Sequence, residues 1–217
     1  MELLLVSLLG GVLALDGTAV GQFMVSRPLV AGALTGWLLG TPAVGLAVGA
    51  LLEAYLLVSF PSGGARYPEG ATAAVVAVAS AGAADPLGAV PLGLALGLVW
   101  GQIGGFTVSA LRRLNAWLVP EADGPRPESL SAAHLGAIAL DGLRGALLTA
   151  VGVVGGRWVV ETLAQSWPLG PSDTRGLLLV GAAVSAGVLM RSLGGYRRRR
   201  ILFLTGMALA VVGARLL

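Results

Sequence analysis

Residues 16–70 read DGTAVGQFMVSRPLVAGALTGWLLGTPAVGLAVGALLEAYLLVSFPSGGARYPEG, and this stretch decides the fold. It is mostly apolar, yet it carries Asp16, Gln22, Arg27, Glu53, Arg66 and Glu69 within or beside segments long enough to enter a bilayer. An ionisable group near the bilayer centre costs at least about 2.5 kcal/mol, so it snorkels, pairs, or lines a polar path. The apolar run from Leu29 to Phe60 would be roughly 48 Å long as one helix, against a hydrocarbon core of about 30 Å. Gly40-Thr41-Pro42 interrupts it, and the residue before a proline is pushed away from helical geometry. The run is therefore expected to form two segments. Pro61-Ser62-Gly63-Gly64 is a second breaker cluster.

Working outward, apolar runs recur along all 217 residues, which are 56% hydrophobic and 12% charged. Soluble domains carry about 25% charged residues. The fold class is an all-α polytopic membrane protein with broken or re-entrant helices, since a spanning chain must satisfy its backbone internally. The short alternating strands of a barrel are absent. The 34 glycines permit close helix approach and irregular backbone.

One integral membrane domain is expected, in two halves. The N-terminal half, 1–111, opens with a first helix over roughly Leu3 to Val20. It is read as a retained span because Glu2 stands where a signal peptide has positive charge. Gly70 to Ala84 is short for a span, is made of small side chains, suits an interior segment, and ends at Asp85-Pro86. Leu87 to Leu111 is a full span. Residues 112–131, RRLNAWLVPEADGPRPESLS, are read as a polar loop that could begin with an interfacial helix. The C-terminal half, 132–217, has spans near 132–163, 177–190 and 201–217. Asp141 and Arg144 share a helix face at i,i+3 and are expected to pair. All 14 basic residues are Arg, and Arg112, Arg113 and Arg197 to Arg200 are expected on the cytoplasmic side.

Several chemistries are excluded. Without Cys there is no disulfide, thiolate nucleophile or Cys metal site. The single His, His134, precludes a multi-histidine metal site and has no phosphate cradle around it. No Walker A motif is present. The net charge of +3 needs no nucleic-acid partner. No cofactor is expected, and the chain is not expected to be an enzyme.

The ordered pieces of the opening stretch carry a resemblance. QFMVSRPLVAGALTGWLLG fits Q-x-x-x-S-R-P-L-V-x-G-x-x-x-G-x-x-L-G, GLAVGALLEAY fits G-x-x-x-G-x-x-L-E, and FPSGGARYPEG fits a P-x-G-G turn followed by Pro and an acid. Together, with Asp16 ahead of them, they resemble the IIC permease subunit of the mannose/fructose/sorbose family of the bacterial sugar phosphotransferase system. The match is sharp over about residues 12–80. The family implies a multi-pass protein of the bacterial inner membrane that binds and translocates a hexose-type sugar. It implies a IID-type membrane partner, cytoplasmic IIA and IIB phosphocarriers that perform phosphoryl transfer, lipid contact, and an oligomer. An alternative is a IIC-like protein in a regulatory or assembly role, suggested by Thr41 and Glu69 at positions where the family has other residues, and by a short second half.

Sugar hydroxyls both donate and accept, and carboxylates and amides suit them in a dry site. Gln22, Glu53 and Glu69 are the candidate substrate-binding residues, with Trp37 or Tyr55 as an aromatic face. Glu53 could equally cap a broken helix or pair Arg27, and Glu69 could sit in a solvated turn. Asp16, Arg27 and Pro28 are read as structural or interfacial.

Overall fold

The structure is a computed structural model and describes all residues except 58, 60–65, 85, 119–126 and 217. Among the described residues there are eight helices and no strand: α1 (Glu2–Thr18), α2 (Pro28–Leu38), α3 (Pro42–Leu56), α4 (Gly70–Ala81), α5 (Pro86–Leu118), α6 (Pro127–Ala164), α7 (Pro171–Ser192) and α8 (Tyr196–Leu216). Three are long and apolar enough to cross a membrane: Leu87–Trp117, Ser129–Ala164 and Pro171–Ser192. Most of the fold is arranged around one central element.

That element is α4. Every residue from Ala71 to Ala81 is buried, so this helix of 12 residues has no solvent or lipid face. At 1.5 Å per residue it spans about 18 Å, little more than half the hydrocarbon core. Its Ala, Val and Thr side chains are short, which lets α5 and α6 close around it while α1, α2 and α3 touch its remaining faces. The sequence expectation of a short interior segment holds, with the helix ending at Ala81, three residues before Ala84.

The break at Gly40-Thr41-Pro42 also forms as expected. α2 ends at Leu38, Gly40 turns with φ +71°, and Pro42 opens α3 at its first position, where a missing N–H costs nothing. The two segments then fold back as a hairpin whose seam is glycine. A Cβ on Gly36 would lie 2.7 Å from Gly45 Cα, and one on Gly49 would lie 2.8 Å from the Pro28 carbonyl oxygen. The seam is backbone against backbone, so no side chain can swing aside. α1 runs along α6 with a similar small-residue contact, Gly145 against Ala14.

The polar stretch 112–131 differs from its reading as a loop. α5 continues to Leu118 and α6 begins at Pro127, so both flanks are helical. Residues 112–118 contain Arg, Leu, Asn, Ala and Trp and no Gly or Pro, and nothing in them stops a helix. Pro127 is well placed at a helix start. With 33 and 38 residues, α5 and α6 would be roughly 50 and 57 Å long and project beyond a bilayer core. The breaker cluster 61–64, Asp85 and the middle of the polar stretch lie outside the described residues.

The glycine seam yields a stability prediction. Gly36→Val or Gly45→Val should destabilise the purified protein by about 1–3 kcal/mol or more, the range of overpacked cores. Gly155→Ala, which meets nothing within 4 Å, should be near neutral. Thermal unfolding in detergent, followed by loss of the monodisperse peak, checks both.

Candidate functional site

The chain ends of four short segments converge beside the start of α4. Ala14, Gly17 and Thr18 come from α1; Arg27 and Pro28 from the start of α2; Leu56 from the end of α3; Tyr67 to Ala71 from the approach to α4. They enclose a cleft of about 80 Å³. At about 30 Å³ per water, that is room for two or three waters.

Glu69 is the residue that caps α4 in sequence, yet its carboxylate does not cap the helix. It turns toward α6. Arg144 Nη2 donates to Glu69 Oε1 at 2.6 Å and Nη1 donates to Oε2 at 3.0 Å. Thr72 Oγ1 donates to the same Oε2 at 2.8 Å. Arg144 Nε donates to Asp141 Oδ1 at 2.9 Å, and Thr107 Oγ1 accepts from Nη1 at 2.9 Å. Asp141 in turn accepts from Thr18 Oγ1. One guanidinium is thus shared by two carboxylates and ties α1, α4, α5 and α6 together. The side chains of Arg144, Glu69 and Asp141 are 11%, 6% and 5% exposed. The fork-to-fork geometry is the arrangement in which a guanidinium holds a carboxylate most strongly.

Glycines make room for this cluster. A Cβ on Gly104 would lie 2.6 Å from Glu69 Oε2. The Glu69 backbone N–H donates to the Gly101 carbonyl at 2.8 Å, so the segment before α4 lies directly on α5.

Arg27 and Glu53 form a second pair across the α2–α3 hairpin, with Arg27 Nε donating to Glu53 Oε1 at 2.7 Å and Nη2 donating to the same oxygen. Glu53 Oε2 also accepts from the Leu29 N–H at 3.3 Å and so caps the start of α2. Both alternatives read for Glu53 as a structural group, helix cap and Arg27 partner, are therefore present. Asp16 is buried at the end of α1 and accepts from the backbone N–H groups of Phe23 at 2.6 Å and Ser26 at 2.9 Å. It fastens the loop in which Gln22 and Met24 adopt φ of 56° and 66°. Pro28 is buried against Gly70, whose added Cβ would meet Pro28 Cγ at 2.9 Å.

The structure thus brings Arg27, Pro28 and Glu69 to the cleft wall. Glu53 stands behind Arg27, and Gln22 lies on the exposed loop outside the lining. Glu69 is buried and ion-paired, which removes its reading as a solvated turn residue. The pairing of Asp141 with Arg144 is visible in the sequence. The pairing of Arg144 with Glu69, 75 residues away, has no sequence signal.

The described chain is thus an all-α core of broken helices, with a carboxylate and a guanidinium at a cleft between their ends. The comparisons give the family. The model of the family described as "PTS system sorbose-specific iic component" matches residues 1–214, and the chain belongs to that family. It is accordingly a sugar permease component of a phosphotransferase system, a membrane transport subunit. A solved structure described as "Structure of membrane protein" is similar in fold, with a TM-score of 0.71 and 20% identity, covering 99% of this chain and 92% of that one. No curated protein sequence matches.

Removing one partner of a buried charge pair leaves the other uncompensated, at a cost of roughly 3–5 kcal/mol. Arg144→Ala should therefore lower the melting temperature far more than the triple substitution Arg144→Leu, Glu69→Leu and Asp141→Asn, which leaves no buried carboxylate unpaired, measured on the same detergent-purified protein. Equal losses would mean that the pair does not act as a unit.

Proposed function

We propose that this subunit binds a hexose-type sugar at the cleft beside Glu69, carries it across the bacterial inner membrane as a multi-pass protein, and delivers it for phosphorylation by partner subunits. Membership of the IIC family supports the transport class. The observation that supports the location is the set of chain ends meeting at the start of α4, with Arg27 and Glu69 on one wall. Transporter sites commonly form where spanning helices are broken, because unwound backbone and helix ends there offer polar groups at membrane depth.

In this reading Glu69 accepts hydrogen bonds from sugar hydroxyls, and Glu53 and Gln22 join it when the cleft opens. Asp16, Arg27 and Pro28 position the loop and the start of α2. The cleft of about 80 Å³ is too small for a hexose as it stands, so binding requires the ends of α2 and α3 to move away from α4. Such movement of one packed unit against another is how broken-helix transporters alternate access. The chain has no Cys, and His134 lies outside this cleft, so phosphoryl transfer falls to IIA and IIB carriers. A IID-type membrane subunit completes the assembly, in which the chain is oligomeric. The regulatory alternative is not favoured, since the family model that matches residues 1–214 is that of a permease component.

Uptake of labelled sorbose, mannose and fructose by cells carrying the complete system tests the site. Glu69→Gln, checked for folding, should lower kcat/KM at least tenfold, which corresponds to about 1.4 kcal/mol of lost transition-state binding. Undiminished uptake by the joint variant Gln22→Ala and Glu53→Ala would remove both residues from the site.

A further inference from the structure

The other end of the molecule holds a larger and more polar cavity than the Glu69 cleft. It lies where the end of α4, the start of α5 and the end of α6 meet, and its volume is about 500 Å³. Glu161, Gln165 and Trp167 line it together with Ala83, Leu87 and Gly88. Ligand pockets for small molecules run from about 300 to 1,000 Å³.

The chemistry of the lining is specific. Glu161 stands in the last turn of α6 and Gln165 in the turn that follows it, and both line the cavity. They offer a carboxylate and an amide, the pairing that both accepts from and donates to hydroxyl groups. Trp167 supplies an aromatic wall and is held in place on two sides. Its indole Nε1 donates to Thr174 Oγ1 at 2.9 Å, and its Cβ lies against Gly88, where an added Cβ would come within 2.8 Å.

Ala83 also lines a second chamber of about 200 Å³, which holds Glu2, Thr41 and Arg157. Arg157 pairs with Glu2 there and donates from Nε to the Ala79 carbonyl at 3.2 Å. Thr41 Oγ1 is buried without a hydrogen-bond partner. The two cavities are neighbours that share Ala83 in their walls.

Charge distribution assigns the sides. Chain direction puts Arg27, Arg66, Arg112, Arg113, Arg191 and the run Arg197 to Arg200 at the Glu69 end, while Arg157, Arg175 and Arg215 stand at the opposite end with Glu2, Glu161 and Asp173. The basic end is cytoplasmic.

We propose that the cleft of Glu161, Gln165 and Trp167 is an outer vestibule that binds the sugar before it reaches the Glu69 cleft, with the Arg157–Glu2 pair beside it. The assignment of a sugar rests on the transport function proposed above. The cleft is a separate binding site whose occupancy can be read without transport.

The absence of Cys makes a direct test simple. In intact cells carrying the complete system, Gln165→Cys should react with a membrane-impermeant maleimide. Saturating mannose, fructose or sorbose should slow the reaction several-fold. Ser172→Cys, at the same end but outside the lining, should react at the same rate with or without sugar, and Ala116→Cys only after permeabilisation. Glu161→Gln should raise the apparent KM for uptake about tenfold, the loss of one hydrogen bond to a charged group, with the maximal rate unchanged. Labelling of Gln165→Cys that no sugar slows, labelling that needs permeabilisation, or a Glu161→Gln defect in maximal rate alone would each overturn the proposal. Sugar protection of the Gln165→Cys protein, in a system whose unsubstituted form takes up no sugar, would instead refute transport and leave the vestibule standing.

Discussion

The structure depends on one guanidinium. Arg144 is nearly buried and lies between Glu69 and Asp141, and through their hydrogen bonds it joins α1, α4, α5 and α6. A lone charge at that depth would be prohibitive in a low-dielectric interior. The cost is offset because Nε, Nη1 and Nη2 of the guanidinium all donate to oxygens, and because the carboxylates are in turn bonded to Thr18 and Thr72. Such clusters are weak evidence for stability, since well-packed apolar side chains would serve as well or better. Of this cluster, Glu69 reaches the wall of the cleft.

The same constraint explains the glycines. A carboxylate inserted between packed helices needs space, and Gly104 supplies it. The α2–α3 hairpin needs its backbones in contact to place Arg27 over Glu53, and the seam of Gly32, Gly36, Gly45 and Gly49 permits that. Without an apolar driving force between helices in lipid, close backbone contact and interhelical hydrogen bonds carry association. Composition, packing and site are therefore one design in this chain. The small residues bring helices close, and the close helices hold the charges.

Much of this is legible in the sequence, for identifiable reasons. Gly40-Thr41-Pro42 predicts its own break because proline and glycine act locally. The length and composition of the α4 segment mark it as interior. Asp141 and Arg144 announce their pairing by helical spacing. Membership of the IIC family is readable from the ordered motifs of residues 16–70. The contact of Glu69 with Arg144 is not readable, because it depends on how α4 and α6 pack. Nor is the exposure of Gln22, which follows from the fastening of its loop by Asp16 and a backbone φ of 56°. The ends of the stretch 112–131 look like loop from their polarity, whereas helix can continue through polar residues once it leaves the apolar layer.

Two charged layers on α6 set the problem that transport must solve. Arg144 and Arg157 are thirteen positions apart, about 20 Å along a helix, and each is held by an acid: Arg144 by Glu69 and Asp141, Arg157 by Glu2. Between them α4 is sealed on every face. A sugar cannot pass that barrier by diffusion through the packed helix, so one layer must open while the other stays closed. A ligand drives such a change only through a difference in its affinity for the two arrangements. Sugar hydroxyls offer that difference if they replace hydrogen bonds that an opening pair gives up. The pairs differ in how easily this can happen. Arg144 is 11% exposed and bound on several sides, while Arg157 is 30% exposed and its partner Glu2 is 57% exposed. The Arg157 layer is therefore the more exposed of the two, and the Glu69 layer is the more tightly held.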